Sequence, residues 1–270
     1  MEITTPVIIF GITGMGCGLL LAIASRYLLV KEDPRIEQIC NILPGYNCGS
    51  CGYGGCSDYA KAIVTEGKPI NLCAPGGKET LQKLSEYLGV KADISERRVA
   101  IVLCKGGDNV AKRKAQYNGI ADCSAAELIA GGHKACSYGC LGLGSCARVC
   151  PVNAIEITSD NLAVVHPELC IGCGKCVVVC PRHLIKLIPE TRSIHVLCSS
   201  KDRGPVVKKV CDVGCIGCGL CVKIANSPAL TLDGPLAVVN YSHPLENEEI
   251  IAKCPQKTIE KRPGTITRSS

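Results

Sequence analysis

The side chains best placed to do chemistry are the cysteines between Cys136 and Cys180, in the runs CSYGCLGLGSCARVCP and, after a spacer, CIGCGKCVVVCP. In the second run Cys170, Cys173 and Cys176 are followed by Cys180 and a proline. That is the spacing in which three close thiolates hold one [4Fe–4S] cluster and the fourth serves its neighbour. Gly172 and Gly174 let so short a loop wrap a compact cofactor. Zinc is the alternative, but a four-cysteine zinc site usually draws on two separated CxxC pairs. Electron transfer is the chemistry expected.

Composition sets what must position these thiols. The 270 residues include 22 cysteines, one phenylalanine and no tryptophan, too few aromatics for an ordinary large core. Cofactors are then expected to act as internal staples, with loading and folding coupled. The formal net charge is +6. No basic run is interleaved with aromatics, as single-strand binders require, so nucleic acid is not an expected partner.

From the start of the chain, Pro6 to Ser25 is uncharged and mostly apolar, enough as a helix to span a hydrocarbon core of about 30 Å. A cleaved signal peptide is the competing reading. No basic segment precedes the apolar run, however, whereas Arg26, Lys31 and Arg35 follow it. This predicts a retained single-pass membrane anchor with the rest of the chain in the cytoplasm, where thiols stay reduced. Gly14, Gly18 and Ala22 recur every four residues, a face suited to helix packing, with Cys17 a spare thiol inside it.

After a charged link, Lys31 to Arg35, comes LPGYNCGSCGYGGC, then SDYAKAIVTEG and Cys73 in NLCAPGG. Cys48, Cys51, Cys56 and Cys73 make a four-thiolate set on a glycine-rich loop. Ser57 is expected to cap the following helix and Gly67 to end it. Cys40 reads as a buried thiol. Leu81, Leu84 and Leu88 predict a small amphipathic helix from Lys78 that closes at Gly89.

Beyond the linker KADISERR the chain repeats itself at an offset of about 75 residues, the kind of signal an internal duplication leaves. VAIVLC ending at Cys104 matches SIHVLC ending at Cys198; Lys134–Gly142 matches Lys209–Gly217; LAVV recurs at Leu162 and Leu236; Cys180-Pro181 matches Cys254-Pro255. Two ferredoxin-like copies in tandem are expected. In the second, Cys215, Cys218 and Cys221 pair with Cys254 under the crossed rule. The other four ligand positions have become Ala225, Pro244, Asn247 and Ile250. These are the ligands of a single cluster, so the second copy has lost one whole site.

In the first copy Cys150, Cys170, Cys173 and Cys176 form one crossed set. Its partner has Cys140, Cys146 and Cys180, with Leu143 where a fourth ligand should stand. Cys104, Cys123, Cys136, Cys198 and Cys211 remain. Setting aside Cys17 and Cys40 leaves 20 of the 22 cysteines, five sets of four and thus five expected [4Fe–4S] clusters. Repeat symmetry groups Cys104, Cys136, Cys198 and Cys211 and leaves Cys123 for the Leu143 site; exchanging Cys123 and Cys136 satisfies the count equally.

Other motifs carry little. GITGMGCG and GLGS are fragments of a dinucleotide fingerprint without its strand, helix and acidic residue. No nucleophile and base stand out as a pair, and no catalytic residue is expected in this chain alone. Lys105, Lys112, Arg113 and Lys114 form a basic cluster in the first copy, read as a docking face for an acidic electron donor or else as a solvated surface.

The N-terminal apolar run, LPGYNCGSCGYGGC with Cys73 in CAPGG, and the tandem ferredoxin motifs together resemble the B subunits of the Rnf electron-transport complexes, the membrane-bound ferredoxin:NAD oxidoreductases, along nearly the whole chain. VLCKGG, YGCLGLGSC and CSSKDRG look like the cysteine-rich form found in anaerobic bacteria. The resemblance implies that soluble reduced ferredoxin is the donor, and that other membrane subunits carry the flavins, the NAD site and a Na+ or H+ path. Electrons arriving here would then be relayed towards NAD reduction. An electron-transfer subunit of a hydrogenase or carbon monoxide dehydrogenase assembly, or a zinc-bound scaffold, are the other readings. The expected organisation is α+β: an anchor over 1–30, a four-cysteine module over 31–92, ferredoxin-like domains over 93–193 and 194–260, and a disordered tail over 261–270.

Overall fold

The computed structural model describes residues 4–27, 33–91 and 96–262; half of the linker KADISERR and most of the tail expected to be disordered lie outside them. An apolar run without charges satisfies its own backbone best as a helix, and α1 (Thr4–Tyr27) is one. Its Val7–Arg26 stretch is long and apolar enough to cross a membrane, and none of it is buried against the rest of the protein. A Cβ added at Gly14 or Gly18 meets nothing within 4 Å, so the small-residue face is open.

Where the sequence reading had only a charged link, the structure has a helix, α2 (Pro34–Ile42). Its signal is local: the Asp33 carboxylate accepts the Arg35 backbone N–H at 2.9 Å, and Pro34 occupies the first turn, where no N–H is needed. Two further helices, α3 (Cys56–Glu66) and α4 (Gly77–Leu88), complete the module. Gly67 and Gly89 end them in the left-handed conformation, as expected. Ser57 is not the cap. The helix starts at Cys56 itself, whose N–H is taken by Asn47 Oδ1 at 2.8 Å. Ile36, Ile39, Tyr59, Leu81 and Leu84 make the small core, with Leu88 at its edge.

The two copies share one plan. In the first, β1 (Arg98–Val102), α5 (Cys123–Leu128), α6 (Ser145–Arg148), β2 (Ile155–Ile157), β3 (Ala163–Val165), α7 (Lys175–Val179) and β4 (Ile185–Pro189) follow in order. The second runs through β5 (Ile194–Val196), α8 (Gly204–Val210), α9 (Leu220–Ala225), β6 (Leu230–Asp233), β7 (Leu236–Val239), α10 (Glu249–Lys253) and β8 (Ile259–Lys261). In each, the first strand pairs antiparallel with the last, Val102 opposite Ile185 and Val196 opposite Ile259, while β2–β3 and β6–β7 form inner hairpins. Each copy has its own core. Of the four positions of the lost site in the second copy, Ile250 is fully buried in the core with Leu245 nearby, Ala225 and Asn247 are half-buried, and Pro244 is exposed; Asn247 Nδ2 donates to the Ile224 carbonyl at 3.3 Å. Backbone bonds join the copies, from Lys112 N–H to Val210 O and from Asp212 N–H to Val110 O, each 2.9 Å.

Three glycines, each two residues after a cysteine, let the ligand loops press on neighbouring backbone. A Cβ at Gly142 would lie 2.1 Å from Asn161 O, at Gly172 2.5 Å from Arg98 O and at Gly217 2.5 Å from Pro235 O; all three have positive φ. Gly217→Ala therefore meets both left-handed strain and overlap, and should cost about 2–4 kcal/mol. Gly234→Ala, in the nearby hairpin turn, has positive φ but open space and should cost only about 1 kcal/mol. Chemical denaturation of the two variants checks this; equal losses would show that the close approach does not constrain the loop.

Candidate metal centres

In the two ferredoxin-like copies each helix that follows a cysteine loop is short and carries one thiol of its set, Cys146, Cys176 or Cys221, while the loop presents others. Gly144, Gly174 and Gly219 stand at the starts of α6, α7 and α9 in the left-handed conformation, turning each loop back over its own sulfurs. Twenty thiols are thereby gathered into groups. Cys123, Cys140, Cys146 and Cys180 line one cavity. Cys104, Cys136, Cys198 and Cys211 line a second, between the copies. Cys215, Cys218, Cys221 and Cys254 line a third. Cys48, Cys51, Cys56 and Cys73 lie within electrostatic reach of one another, as do Cys150, Cys170, Cys173 and Cys176.

Cys123, which has no counterpart in the repeat, thus stands with the Leu143 site. Asp122 holds it there: its carboxylate accepts the N–H groups of Ser124 and Ala125 and the Ser145 hydroxyl at 2.8 Å, and Arg148 pairs with it at 3.1 Å. The Cys123 N–H in turn donates to Ser145 Oγ at 2.8 Å. This network ties the insertion to α6, which carries Cys146. The sequence signal for it was an Asp-Cys-Ser helix start, which the cysteine count did not use.

The donor chemistry fits a polynuclear cofactor better than single ions. Among the described residues no three Cys, His, Asp or Glu side chains converge closely enough to hold one metal ion, whereas tetrahedral zinc needs four sulfurs about 2.3 Å from one point. The three four-cysteine cavities enclose nearly the same empty space, 390, 380 and 380 Å³ with their mouths included. Burial first, and then the thiols around them, push Cys146 and Cys176 up to about 12 and Cys73 and Cys221 up to about 11. Thiols so placed stay protonated at neutral pH until a metal's charge displaces the protons.

Each group also neighbours the next. Cys48 is close enough to Cys173, and Cys146 to Cys176, to raise their pKa values. The Cys140 N–H donates to Cys104 Sγ at 3.4 Å, and the Cys215 N–H to the Cys198 sulfur. Cys218, in the last group, is exposed.

In the basic cluster of the first copy Lys105, Arg113 and Lys114 have partners within the protein, while Lys112, Arg113 and Lys114 stay exposed. Lys105 pairs with Glu260 of the second copy, Arg113 with Asp108, and Lys114 Nζ donates to Ala130 O at 2.7 Å. Paired charges of this kind steer an incoming partner weakly. Lys208 and Lys209, in the last turn of α8, are exposed and have no ion-pair partner among the described residues.

Comparison with known proteins agrees with this geometry. A family model described as a putative Fe-S cluster matches residues 43–75, and one described as a 4Fe-4S binding domain matches residues 163–186. The chain is 39% identical over 249 residues to the B subunit of the ion-translocating oxidoreductase complex of Methanosarcina acetivorans, covering 92% of this chain and 94% of that one. It is 40% identical over 257 residues to the B subunit of the Na(+)-translocating ferredoxin:NAD(+) oxidoreductase complex of Acetobacterium woodii, covering 95% and 77%. Against the B subunit of the proton-translocating ferredoxin:NAD(+) oxidoreductase complex of Clostridium ljungdahlii it is 38% identical over 255 residues, covering 93% and 90%. With an apolar helix at its start, thiols in fours and relatives matched along most of their length, the chain belongs to the family of B subunits of the Rnf ion-translocating oxidoreductase complexes, as an iron–sulfur electron-transfer subunit.

Proposed function

We propose that this subunit takes electrons from reduced ferredoxin and passes them through five [4Fe–4S] clusters towards NAD reduction, coupled in the complex to Na+ or H+ translocation. The adjacency of each four-thiol group to the next carries the reading, because a relay needs its stations adjacent. The clusters supply one-electron storage at potentials set by their surroundings. The chain's own residues hold them, space them and seal them from water. On this reading Cys48, Cys51, Cys56 and Cys73 hold the station nearest the anchor and Cys215, Cys218, Cys221 and Cys254 the outermost one. The boundaries at 92, 193 and 260 separate the units that carry them. Arg26 in the last turn of α1, with Lys31 and Arg35 beyond, favours a cytoplasmic location for everything after the anchor. The relatives' names carry different ions, so the coupling ion is assigned to other subunits.

Three measurements test this. The anaerobically reconstituted chain should bind about 20 iron atoms, four per cluster. Cys123→Ser combined with Cys146→Ser should lose only about four of them, as both serve one site, whereas Cys136→Ser combined with Cys146→Ser should lose about eight. The reverse pattern would regroup the two thiols. Protease added to the cytoplasmic side of vesicles should digest everything beyond the anchor; protection would reverse the orientation.

For entry, the outermost group and the free cations of α8 replace the first copy. Lys208→Glu with Lys209→Glu should slow reduction by ferredoxin roughly tenfold at low ionic strength and flatten its salt dependence. Reduction by a small uncharged donor should be nearly unchanged. Stopped-flow rates at two salt concentrations check it, and an unaltered ferredoxin rate would move the docking face elsewhere.

A further inference from the structure

Between the cavity of Cys123, Cys140, Cys146 and Cys180 and the cavity of Cys104, Cys136, Cys198 and Cys211 lie two cations that the duplicated fold does not require. Lys134 is fully buried, and its Nζ donates to Gly106 O at 2.7 Å. Gly106 packs against the sulfurs of Cys104 and Cys211, and its N–H donates to Cys104 Sγ at 3.3 Å. Lys134 is also within electrostatic reach of Cys140, in the other group. The Arg182 side chain is 4% exposed and lines the cavity of Cys123 and Cys140. Its Nη1 donates to the carbonyls of Cys136 and Gly139 at 2.8 and 2.6 Å.

The second copy is an internal control. The residue matching Lys134 is Lys209, which is exposed, and the residue matching Arg182 is the neutral Gln256, which lines the cavity of Cys215 in the corresponding place. The same strand pairing forms without either buried cation. Burying an ammonium costs several kcal/mol unless it is fully paired, and here the pairing is partial. Lys134 and Arg113 share one carboxylate, Asp108, whose Oδ1 lies 3.4 Å from Lys134 and has no hydrogen bond. Arg182 pairs at 2.7 Å with Glu127, whose side chain is one-third exposed and so screened by solvent. Asp202 and Asp212 also lie within electrostatic reach of Cys136 and Cys211, so what sets these two cations apart is their burial beside the thiol groups and not an excess of positive charge at the junction.

We propose that Lys134 and Arg182 raise the reduction potentials of the two clusters on either side of them. A cluster gains one negative charge on reduction, and a buried cation beside it favours that state. This rests on the five-cluster reading above. Both are positioning residues with an evident structural use too, since Arg182 ties Gly131, Cys136 and Gly139 together, so the test must read potential and not stability alone.

The full chain in detergent, reconstituted anaerobically, is titrated redox-potentiometrically with EPR detection, unmodified and as Arg182→Gln, Arg182→Lys and Lys134→Met, with iron measured in each. Arg182→Gln copies the second copy's Gln256. With iron retained, Arg182→Gln and Lys134→Met should each shift at least one centre to lower potential by about tenfold in its reduced-to-oxidised ratio, 59 mV for one electron. Arg182→Lys should restore most of the shift. Full iron with every midpoint unchanged would overturn the proposal. So would loss of iron in Arg182→Gln combined with unchanged midpoints in Lys134→Met, which would make both residues structural. Fewer than five centres in the unmodified chain would instead count against the five-cluster reading and leave the comparison of variants to be made on the centres present.

Discussion

Sulfurs that share a buried pocket repel one another as thiolates, and burial alone holds them protonated, so a four-cysteine set is stable in its working state only with positive charge at its centre. Much of the architecture follows. The loops are short and glycine-rich because four sulfurs must reach one cofactor from backbone lying close to the neighbouring strand or hairpin, as at Gly142, Gly172 and Gly217. Helices after the loops run only four to six residues in α6, α7 and α9, too short to be stable by themselves. With one phenylalanine and no tryptophan, the cores are small and separate. Iron–sulfur centres supply the cohesion that aromatic packing supplies elsewhere.

Duplication followed by loss explains the asymmetry between the copies. An emptied ligand set cannot be left as a hole, since a cavity of that size would cost several kcal/mol. In the second copy Ile250 occupies the core at one former ligand position with Leu245 in the same cluster, and Asn247, at another, finds a backbone carbonyl to bond. The first copy departs in the opposite direction. It keeps a site that lacks its fourth regular ligand and brings Cys123 to it on an inserted segment, held by Asp122, Ser145 and Arg148. Thiols from both copies then line the cavity at their junction, where backbone hydrogen bonds also cross.

Much of the fold was legible because cysteine spacing and repeat symmetry are one-dimensional signals. The helix terminators Gly67 and Gly89, the apolar helix and the buried Leu81 and Leu84 were read from pattern. Three things were not. Helix α2 is short, so its apolar period is weak, and its evidence lay in the Asp33-Pro34 start. The cap of α3 comes from Asn47, nine residues away, through a loop whose path no local rule supplies. Charge pairing is the third: Lys105 looks free in sequence but meets Glu260 across the fold, and Arg113 meets Asp108 five residues before it. The choice between Cys123 and Cys136 was open for a related reason, since a ligand delivered by tertiary contact leaves no spacing to read.

The order in which the thiol groups neighbour one another differs from their order in the sequence, and strand pairing is the cause. Cys104 follows β1 and Cys198 follows β5, so each leaves the end of a strand already paired with the last strand of its copy. That places Cys104 beside Cys140 and Cys198 beside Cys215, and the group between the copies becomes a bridge rather than a terminus. The crossed rule does the same within the first copy, where Cys146 and Cys176 approach each other from different groups. A linear gene order of sites would have required extended linkers between stations. Pairing first strand with last folds each copy back on itself and brings the groups into contact, with the four-cysteine module that follows the apolar helix α1 in sequence at one end and the exposed Cys218 at the other.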